Sequence, residues 1–494
     1  MNLLRFKETQ MILLTVILLA IVSLNTAFSY YIVFSEEKRD VASTWAWLLL
    51  LTLLPGIGII AYLFLGRKLL YLSLFNDDIL EEIGLPKVVE LQKELIKSEK
   101  LHVPETLLQR QPIKLISLLL ESNQSPLTTN NSVSIIANGE DKFDQLIKDI
   151  DKARHHIHMI YFIFRMDEIG SKVLRALEQK AEQGVKVKLL YEPAGAKAMS
   201  KGFFDRLHEL GGVAEPFLGP KFLPISLRTN YRMHRKLAII DGGIGYTGGF
   251  NIGNDYLGLY EKMGYWRDTH LRIEGHAVRT LQSRFFMDWN AAVPDHMLEY
   301  ADRYFPPSHS KGTSYVQIVS SGPDNESEAI KKGFIKMISM AKKSIYIQTP
   351  YFIPDDGLME AMKIAIMSGT EVKVMIPNKP DHPLIYRATL SFIGELIDLG
   401  AEVLVYDKGF LHSKAVVVDD ELLSIGTANF DIRSFRLNFE VTAFIYDQRL
   451  AEKQVELFKE DAEVSHVLTK EMIRGISRSE KMKRQISRLF SPIL

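Results

Sequence analysis

Two stretches of this chain repeat one pattern 178 residues apart: HRKLAIIDG, which begins at His234, and HSKAVVVDD, which begins at His412. His234 matches His412, Lys236 matches Lys414, Asp241 matches Asp419, Gly248 matches Gly426 and Asn251 matches Asn429, with no gap. Both copies read H-x-K-x4-D-x6-G-x-x-N. A duplication held in register constrains the fold more than composition does, because it demands two similar halves. In each copy a short apolar run reads as a buried strand, followed by a tight turn and a second strand starting at YTGGFN or SIGTAN. Side chains alternate along a strand, so the His and Lys of each copy share a face. Asp241 and Asp419 fall at odd spacing and leave that face where the strand enters its turn. Hydrogen bonding to the turn backbone fits them at least as well as direct catalysis.

The repeat extends beyond the motifs. DIDKARHHIHMIYFIF from Asp149 and MISMAKKSIYIQTPYFI from Met337 each pass from a helix end into an apolar strand. Each is followed by a helical stretch and a further strand, GSKVLRALEQKAEQGVKVKLLY from Gly170 and DGLMEAMKIAIMSGTEVKVMIP from Asp356. Alternation of strand and helix predicts an α/β fold in which each half is a mixed β-sheet flanked by helices. The halves are expected over residues 131–300 and 301–494. Between residues 69 and 130 the chain turns charged and leucine-rich, as in VVELQKELIKSEKL, and reads as a helical connector.

The N-terminus belongs to a different solvent. Met11 to Phe34 is apolar apart from small or weakly polar residues, and Thr44 to Leu65 carries no charge. Each is long enough to cross a hydrocarbon core as a helix, which takes about 20 residues. A signal peptide would have a shorter apolar region, and no second span would follow at once. Residues 1–68 therefore read as two transmembrane helices forming a hairpin. Arg5, Lys7, Arg67 and Lys68 flank it while the turn SEEKRD is nearly balanced, so the bulk of the chain is expected on the cytoplasmic side of the membrane.

Composition narrows the chemistry. Lysine plus arginine equals aspartate plus glutamate, 60 against 60, so no net field draws the chain to nucleic acid. With no cysteine, thiolate metal sites and cysteine nucleophiles are excluded. If the halves pack about a pseudo-twofold axis, both motifs meet at the seam and gather two His, two Lys and two Asn around one volume. Ammonium groups and side-chain amides, here Lys236, Lys414, Asn251 and Asn429, suit the oxygens of a phosphodiester and its five-coordinate transition state. One imidazole can attack phosphorus and the other can protonate the leaving oxygen, without a metal or other cofactor. A nucleophilic histidine needs an acceptor for its other ring nitrogen. Asp268 in YWRDTHLRI and Glu440 in LNFEVTAFIYD, on the next strand of each copy, are the candidates.

These duplicated motifs resemble the phospholipase D superfamily and, within it, the bacterial cardiolipin synthases. The resemblance rests also on QTPYFIPDDGL, IPNKPDH, GFLHSK, GTANFDIRSFRLNFE, NYRMHRKLAIIDG and the N-terminal LPGIGIIAYLFLGR. It implies transfer of a phosphatidyl group from one phosphatidylglycerol to another, releasing glycerol, with anionic membrane lipids as partners. It also implies a phosphohistidine intermediate. By motif position His234 is favoured as nucleophile and His412 as acid and base, although the symmetry of the sequence allows the reverse. One departure stands out: Glu192 in LLYEPAGA occupies a place where the family pattern leads one to expect Asp. A phosphodiester hydrolase shares all this chemistry and differs only in letting water take the second step. A scaffold with a disused site fits poorly, since neither motif has lost a member.

Other features are less specific. RHHIH, Arg154 to His158, has no acidic companions and reads as solvated or locally bonded histidines. Lys379, Asp381 and His382 lie in a loop expected to shape a headgroup pocket. The basic C-terminal helix, ISRSEKMKRQISRLFSPIL, reads either as an ordinary terminal helix or as one lying in an anionic membrane interface.

Overall fold

The computed structural model describes the chain except residues 1, 36–40, 67–74, 76–77, 102–111, 197–198, 201, 219–229, 261–262, 326, 380 and 493–494. It divides into two units, Met1–Leu72 with Pro220–Tyr231, and Ser73–Gly219 with Arg232–Leu494.

In the first unit a helix runs over Asn2–Phe34, and its Thr9–Phe34 portion, with mean hydropathy 2.4, is long and apolar enough to cross a membrane. The second apolar stretch, expected as one span over Thr44 to Leu65, is not one helix. It forms a helix over Val41–Leu53, breaks, and resumes over Ile57–Ala61 and Tyr62–Gly66. Pro55 has no N–H to donate and disfavours helix at Leu54, and Gly56 takes φ +84°. The 13 residues before the break rise only about 20 Å, less than a hydrocarbon core of about 30 Å. Tyr62 packs edge-on to Phe28 at 5.9 Å and Trp47 at 5.2 Å, tying the two apolar stretches together. The expected turn SEEKRD beyond Ser35, and Arg67 and Lys68, lie outside the described residues.

The second unit is built on strands whose sequences are apolar on both faces, as in LAII and AVVV, because helices cover both sides of the sheet. In the first half the strands are β1 Thr128–Ile136, β2 His156–Tyr161, β3 Lys186–Tyr191, β4 Val213–Pro216, β5 Arg232–Met233, β6 Leu237–Ile240, β7 Ile244–Gly248, β8 Tyr265–Arg267 and β9 His270–Glu274. In the second they are β10 Ser314–Ser321, β11 Ser344–Gln348, β12 Phe352–Ile353, β13 Glu371–Pro377, β14 Glu402–Tyr406, β15 Gly409–Leu411, β16 Ala415–Val418, β17 Leu422–Gly426, β18 Phe430–Asp431, β19 Asn438–Tyr446 and β20 Ser465–Val467.

One sheet runs through both halves in the order β20-β14-β13-β11-β16-β17-β19-β10-β1-β9-β7-β6-β2-β3-β4. The order is a palindrome of roles about the β10–β1 junction, where Thr128 pairs with Val316 and Asn131 with Ser314. On either side the same arrangement follows: β2 with β3 and β11 with β13 are parallel, while β6 with β7 and β16 with β17 are antiparallel hairpins. The parallel pairs are joined through helices Glu168–Glu182 and Asp356–Met367. Asp167 and Asp355 start these helices by accepting the N–H of Gly170 and Leu358. Each half has its own apolar core, one around Phe143, Leu177 and Phe250, the other around Leu119, Phe334 and Ile393.

The connector does not stand apart. Leu115, Ile116, Leu119 and Leu120 of helix Pro112–Asn123 lie in the core of the second half, and Gln317 donates to the carbonyls of Ile116 and Ser125.

Candidate active site

Each motif is delivered by a short strand that hydrogen-bonds to the opposite half. β5, leading into His234, pairs with β19, Asn438 opposite Arg232 and Phe439 opposite Met233. β15, leading into His412, pairs with β8, Phe410 opposite Trp266 and Leu411 opposite Arg267. The His234 N–H then donates to Phe439 O at 3.0 Å and the His412 N–H to Arg267 O at 2.7 Å. One residue further along β19 stands Glu440, and one residue past β8 stands Asp268.

This crossing decides which carboxylate serves which imidazole. Glu440 lies 2.8 Å from His234 Nδ1, and Asp268 lies 2.6 Å from His412 Nδ1. A carboxylate can only accept, so each imidazole donates from Nδ1 and presents Nε2 to the site. The orienting residues proposed from the sequence are therefore brought to the imidazoles, each across the seam from its own copy. Both carboxylates are fully buried and held ionised. Burial would raise the Glu440 pKa, but His234, Lys236 and the Thr427 hydroxyl hold it below the ordinary value. Asp268 is likewise lowered despite burial, by Lys414, His412 and the N–H of Thr269 at 2.7 Å.

The two motifs share one electrostatic volume. Burial pushes His234 down to about 4, with Glu440 opposing and Lys236 and Lys414 assisting. His412 falls to about 4 through burial, Lys414 and also Lys236. The resting site thus holds two neutral imidazoles with free Nε2 lone pairs. Lys236 Nζ donates to His234 O at 2.7 Å, and Lys414 makes the equivalent bond to His412 O. Burial lowers Lys236 to about 7 and Lys414 to about 8. Two desolvated amines of this kind favour an anion strongly. Phe162 lies 5.0 Å from the His234 ring and Trp266 5.0 Å from the His412 ring, forming apolar walls.

The remaining sequence candidates divide. Asn251 is tied inward: its Oδ1 accepts the Ile163 N–H at 3.0 Å and its Nδ2 donates to Tyr256 OH at 3.0 Å. Asn429 is also buried; its amide hydrogen-bonds the Asp431 carboxylate, and its Oδ1, an acceptor, has no partner among the described residues. Asp241 and Asp419, grouped with the catalytic residues on motif pattern, do not join the imidazoles. They sit at the far end of β6 and β16 with φ of +51° and +55°. Asp241 accepts the N–H groups of Arg154, His155 and His156 at 2.7 to 2.9 Å, and Asp419 those of Lys342, Lys343 and Ser344. A strand advances about 3.3 Å per residue, so five residues separate each Asp from its Lys by more than 15 Å. Their role is to fasten the start of β2 and β11 to the motif strand. A cavity of about 550 Å³ opens beside Asp419, lined also by Tyr315, Lys342 and Arg449, and no motif histidine or lysine lines it.

Glu192, the departure from the family pattern, is 4% exposed and reaches the first motif strand. Its Oε2 accepts the Met233 N–H at 2.9 Å and its Oε1 the Ala194 N–H at 3.1 Å, with Arg232 at 3.7 Å. Burial raises its pKa against these contacts. Sequence reading missed Thr427, which bonds Glu440, and Asp431, buried and pushed up to about 6 by burial. Neither has a local pattern that sets it apart from a strand-end residue. Of the loop residues, Asp381 accepts the Tyr351 hydroxyl, and its charge reaches Lys414.

The RHHIH histidines are locally bonded, but two are not solvated. His156 and His158 are fully buried and neutral, His158 stacked on Phe285 at 4.3 Å and bonded to Gln282 at 2.8 Å. They sit on the face of β2 that packs against helix Ala277–Ala292. Burial lowers His156 to about 4, with His155 assisting.

Comparison with known proteins gives a consistent picture. The family described as cardiolipin synthase, PLD-like domain, matches residues 146–289 and 334–462, and the phospholipase D-nuclease N-terminal family matches residues 15–67. A cardiolipin synthase of Listeria monocytogenes is 50% identical over 482 residues, covering 98% of this chain and all of that one. The major cardiolipin synthase ClsA of Bacillus subtilis is 49% identical over 471 residues, covering 95% of this chain and 97% of that one. Among solved structures, a phosphatidylserine synthase of Haemophilus influenzae superposes with a TM-score of 0.59 at 15% identity, over 77% of this chain and all of that one, a likeness of fold.

Proposed function

This chain belongs to the cardiolipin synthase family of phospholipase D-like proteins, and on that premise we propose that it makes cardiolipin from two molecules of phosphatidylglycerol. The observation that carries the reading is the crossed pairing of His234 with Glu440 and His412 with Asp268, which supports a single site assembled from both halves.

His234 Nε2 attacks the phosphorus of the first phosphatidylglycerol, in line with the ester oxygen of its glycerol headgroup. The P–O bond to glycerol breaks, and the leaving oxygen takes the proton of His412. For that step His412 must be charged, and the bound phosphodiester anion supplies the field that raises its pKa. A phosphatidyl-His234 intermediate remains, its developing positive charge stabilised by Glu440. His412, now neutral, removes the proton from a glycerol hydroxyl of the second phosphatidylglycerol, whose oxygen attacks phosphorus and expels His234. The sum is cardiolipin plus glycerol. Lys236 and Lys414 stabilise the phosphoryl oxygens throughout, with Asn251 holding the backbone beside them. Glu192 anchors the strand preceding His234. That anchor supports His234 as the nucleophile, because the attacking atom must hold its alignment through two in-line steps.

The N-terminal apolar helix supports insertion in a bacterial membrane, where both substrates reside. We assign a multi-pass insertion, the second stretch, residues 41–66, crossing as a helix broken at Pro55, with the site on the cytoplasmic side on the charge bias of the flanking residues.

The test is product analysis. Purified protein given phosphatidylglycerol alone should release cardiolipin and free glycerol in equal amounts, with no response to an added cytidine-activated lipid. Phosphatidic acid as the main product would instead make it a hydrolase. His234→Ala and His412→Ala should each abolish turnover, and activity surviving in either would refute the paired-histidine mechanism.

A further inference from the structure

The C-terminal helix Arg478–Leu489 is amphipathic in an unusual arrangement: the face it packs with is polar and the face it leaves free is apolar. Ser487 and Ser491 are buried against the body, Arg488 lies 4.3 Å over the Phe392 ring and bonds Glu395, and Glu480 accepts from Arg387 at 3.0 Å. Helix Pro383–Leu399 thus holds it by hydrogen bonds and ion pairs. At about 100° per residue, Met482, Ile486, Leu489 and Phe490 form one stripe on the opposite side. They are 61%, 45%, 79% and 44% exposed.

Lys481 and Lys483 flank the stripe about 100° to either side of Met482, and Arg478 lies near its N-terminal end. All three are exposed and make no ion pair among the described residues. The one acid of the helix, Glu480, is committed to Arg387. Exposed apolar side chains in a row mark a contact surface. A rim of free lysines with no free acid selects a surface that is apolar within and anionic outside, where long side chains bury their stems and keep their charges at the headgroups.

We propose that this helix is an interfacial membrane anchor. Its Met482–Ile486–Leu489–Phe490 stripe enters the acyl boundary of an anionic bilayer, and Lys481, Lys483 and Arg478 rest among the headgroup phosphates. This contact lies on the second half of the fold and is separate from the N-terminal helix. It does not depend on the reaction assigned above.

The chain has no cysteine, so a single thiol can be placed without background. Full-length Leu489→Cys, labelled with an environment-sensitive fluorophore, is reconstituted in bilayers of phosphatidylcholine with phosphatidylglycerol and titrated with brominated lipid. Measuring probe depth rather than binding removes the contribution of the N-terminal helix. The control label is Lys453→Cys on helix Gln448–Glu463, which packs on the other face of the sheet through Phe458 and Tyr346. The expected result is a blue-shifted probe at position 489, with quenching at least about threefold that of the control. Lys481→Glu with Lys483→Glu, or replacement of phosphatidylglycerol by phosphatidylcholine, should remove most of the difference. A probe that stays water-like in anionic bilayers would overturn the proposal. So would a blue shift that appears without lipid and grows with protein concentration, which would make the stripe an interface between copies of the chain.

Discussion

Asp268 and Glu440 each hold Nδ1 of an imidazole on the other half and so set its tautomer. Amides in their place can present an N–H to Nδ1 and turn the ring's lone pair away from phosphorus. Asp268→Asn and Glu440→Gln should therefore lower kcat by about 10- to 100-fold with KM little changed, measured as cardiolipin formed in mixed micelles. An equal rise in KM would instead mean that they bind substrate. The lysines make a second prediction at this scale. Their pKa values, about 7 for Lys236 and about 8 for Lys414, lie below the ordinary lysine range because burial penalises the charged form. The cation binds the phosphodiester, so kcat/KM should fall as pH rises through about 7 to 8. Binding of the anion should take up protons over the same interval, seen as a buffer-dependent heat in titration calorimetry. A flat profile from pH 6.5 to 9 would contradict this.

In the motif hairpins the third motif residue, for which the sequence left backbone bonding and catalysis both open, bonds the backbone of a neighbouring element. The third member of each motif gathers three backbone N–H groups that would otherwise be left without acceptors where β2 and β11 begin. Its φ near +50° aims the carboxylate there. Asp241→Asn and Asp419→Asn keep one acceptor oxygen and lose the charge, so each should destabilise the fold by about 1–3 kcal/mol. Thermal melts should register this, while kcat per folded molecule stays within a few fold. A catalytic role would give the opposite outcome, a lost kcat at unchanged melting temperature. The duplicated strand, turn and strand could be read from spacing alone, because a four-residue apolar run with a polar pair at one end has few other solutions. The interruption of the second apolar stretch at Pro55 could have been read too, from a proline within a helical run, but hydropathy outweighed it.

At the scale of the molecule, the sheet that crosses the β10–β1 junction joins both halves through continuous backbone pairing, and the site lies across them. Buried neutral histidines are spread through this body: His156, His234 and His412 each titrate at about 4. In the unfolded chain the same rings take a proton at about 6.5. Between these values the unfolded state binds more protons, so the stability these rings confer is complete above about 6.5 and is lost as pH falls toward about 4. Melting temperature in detergent should decline steadily over that range, and a melt unchanged between pH 7.5 and 4.5 would show that these rings are solvated. The sequence alone determined that there are two halves, that each offers a histidine and a lysine two residues apart, and that an apolar stretch precedes them, because all of these are patterns of near neighbours. The pair sits not on a strand face but in the link between two short strands. Only the tertiary structure decided that Glu440 serves His234 and Asp268 serves His412, that Glu192 reaches the first motif, and that the C-terminal helix turns its apolar stripe outward. Those outcomes depend on strands and helices far apart in the chain meeting in one register, and the free energy of such meetings is written in no single stretch of sequence.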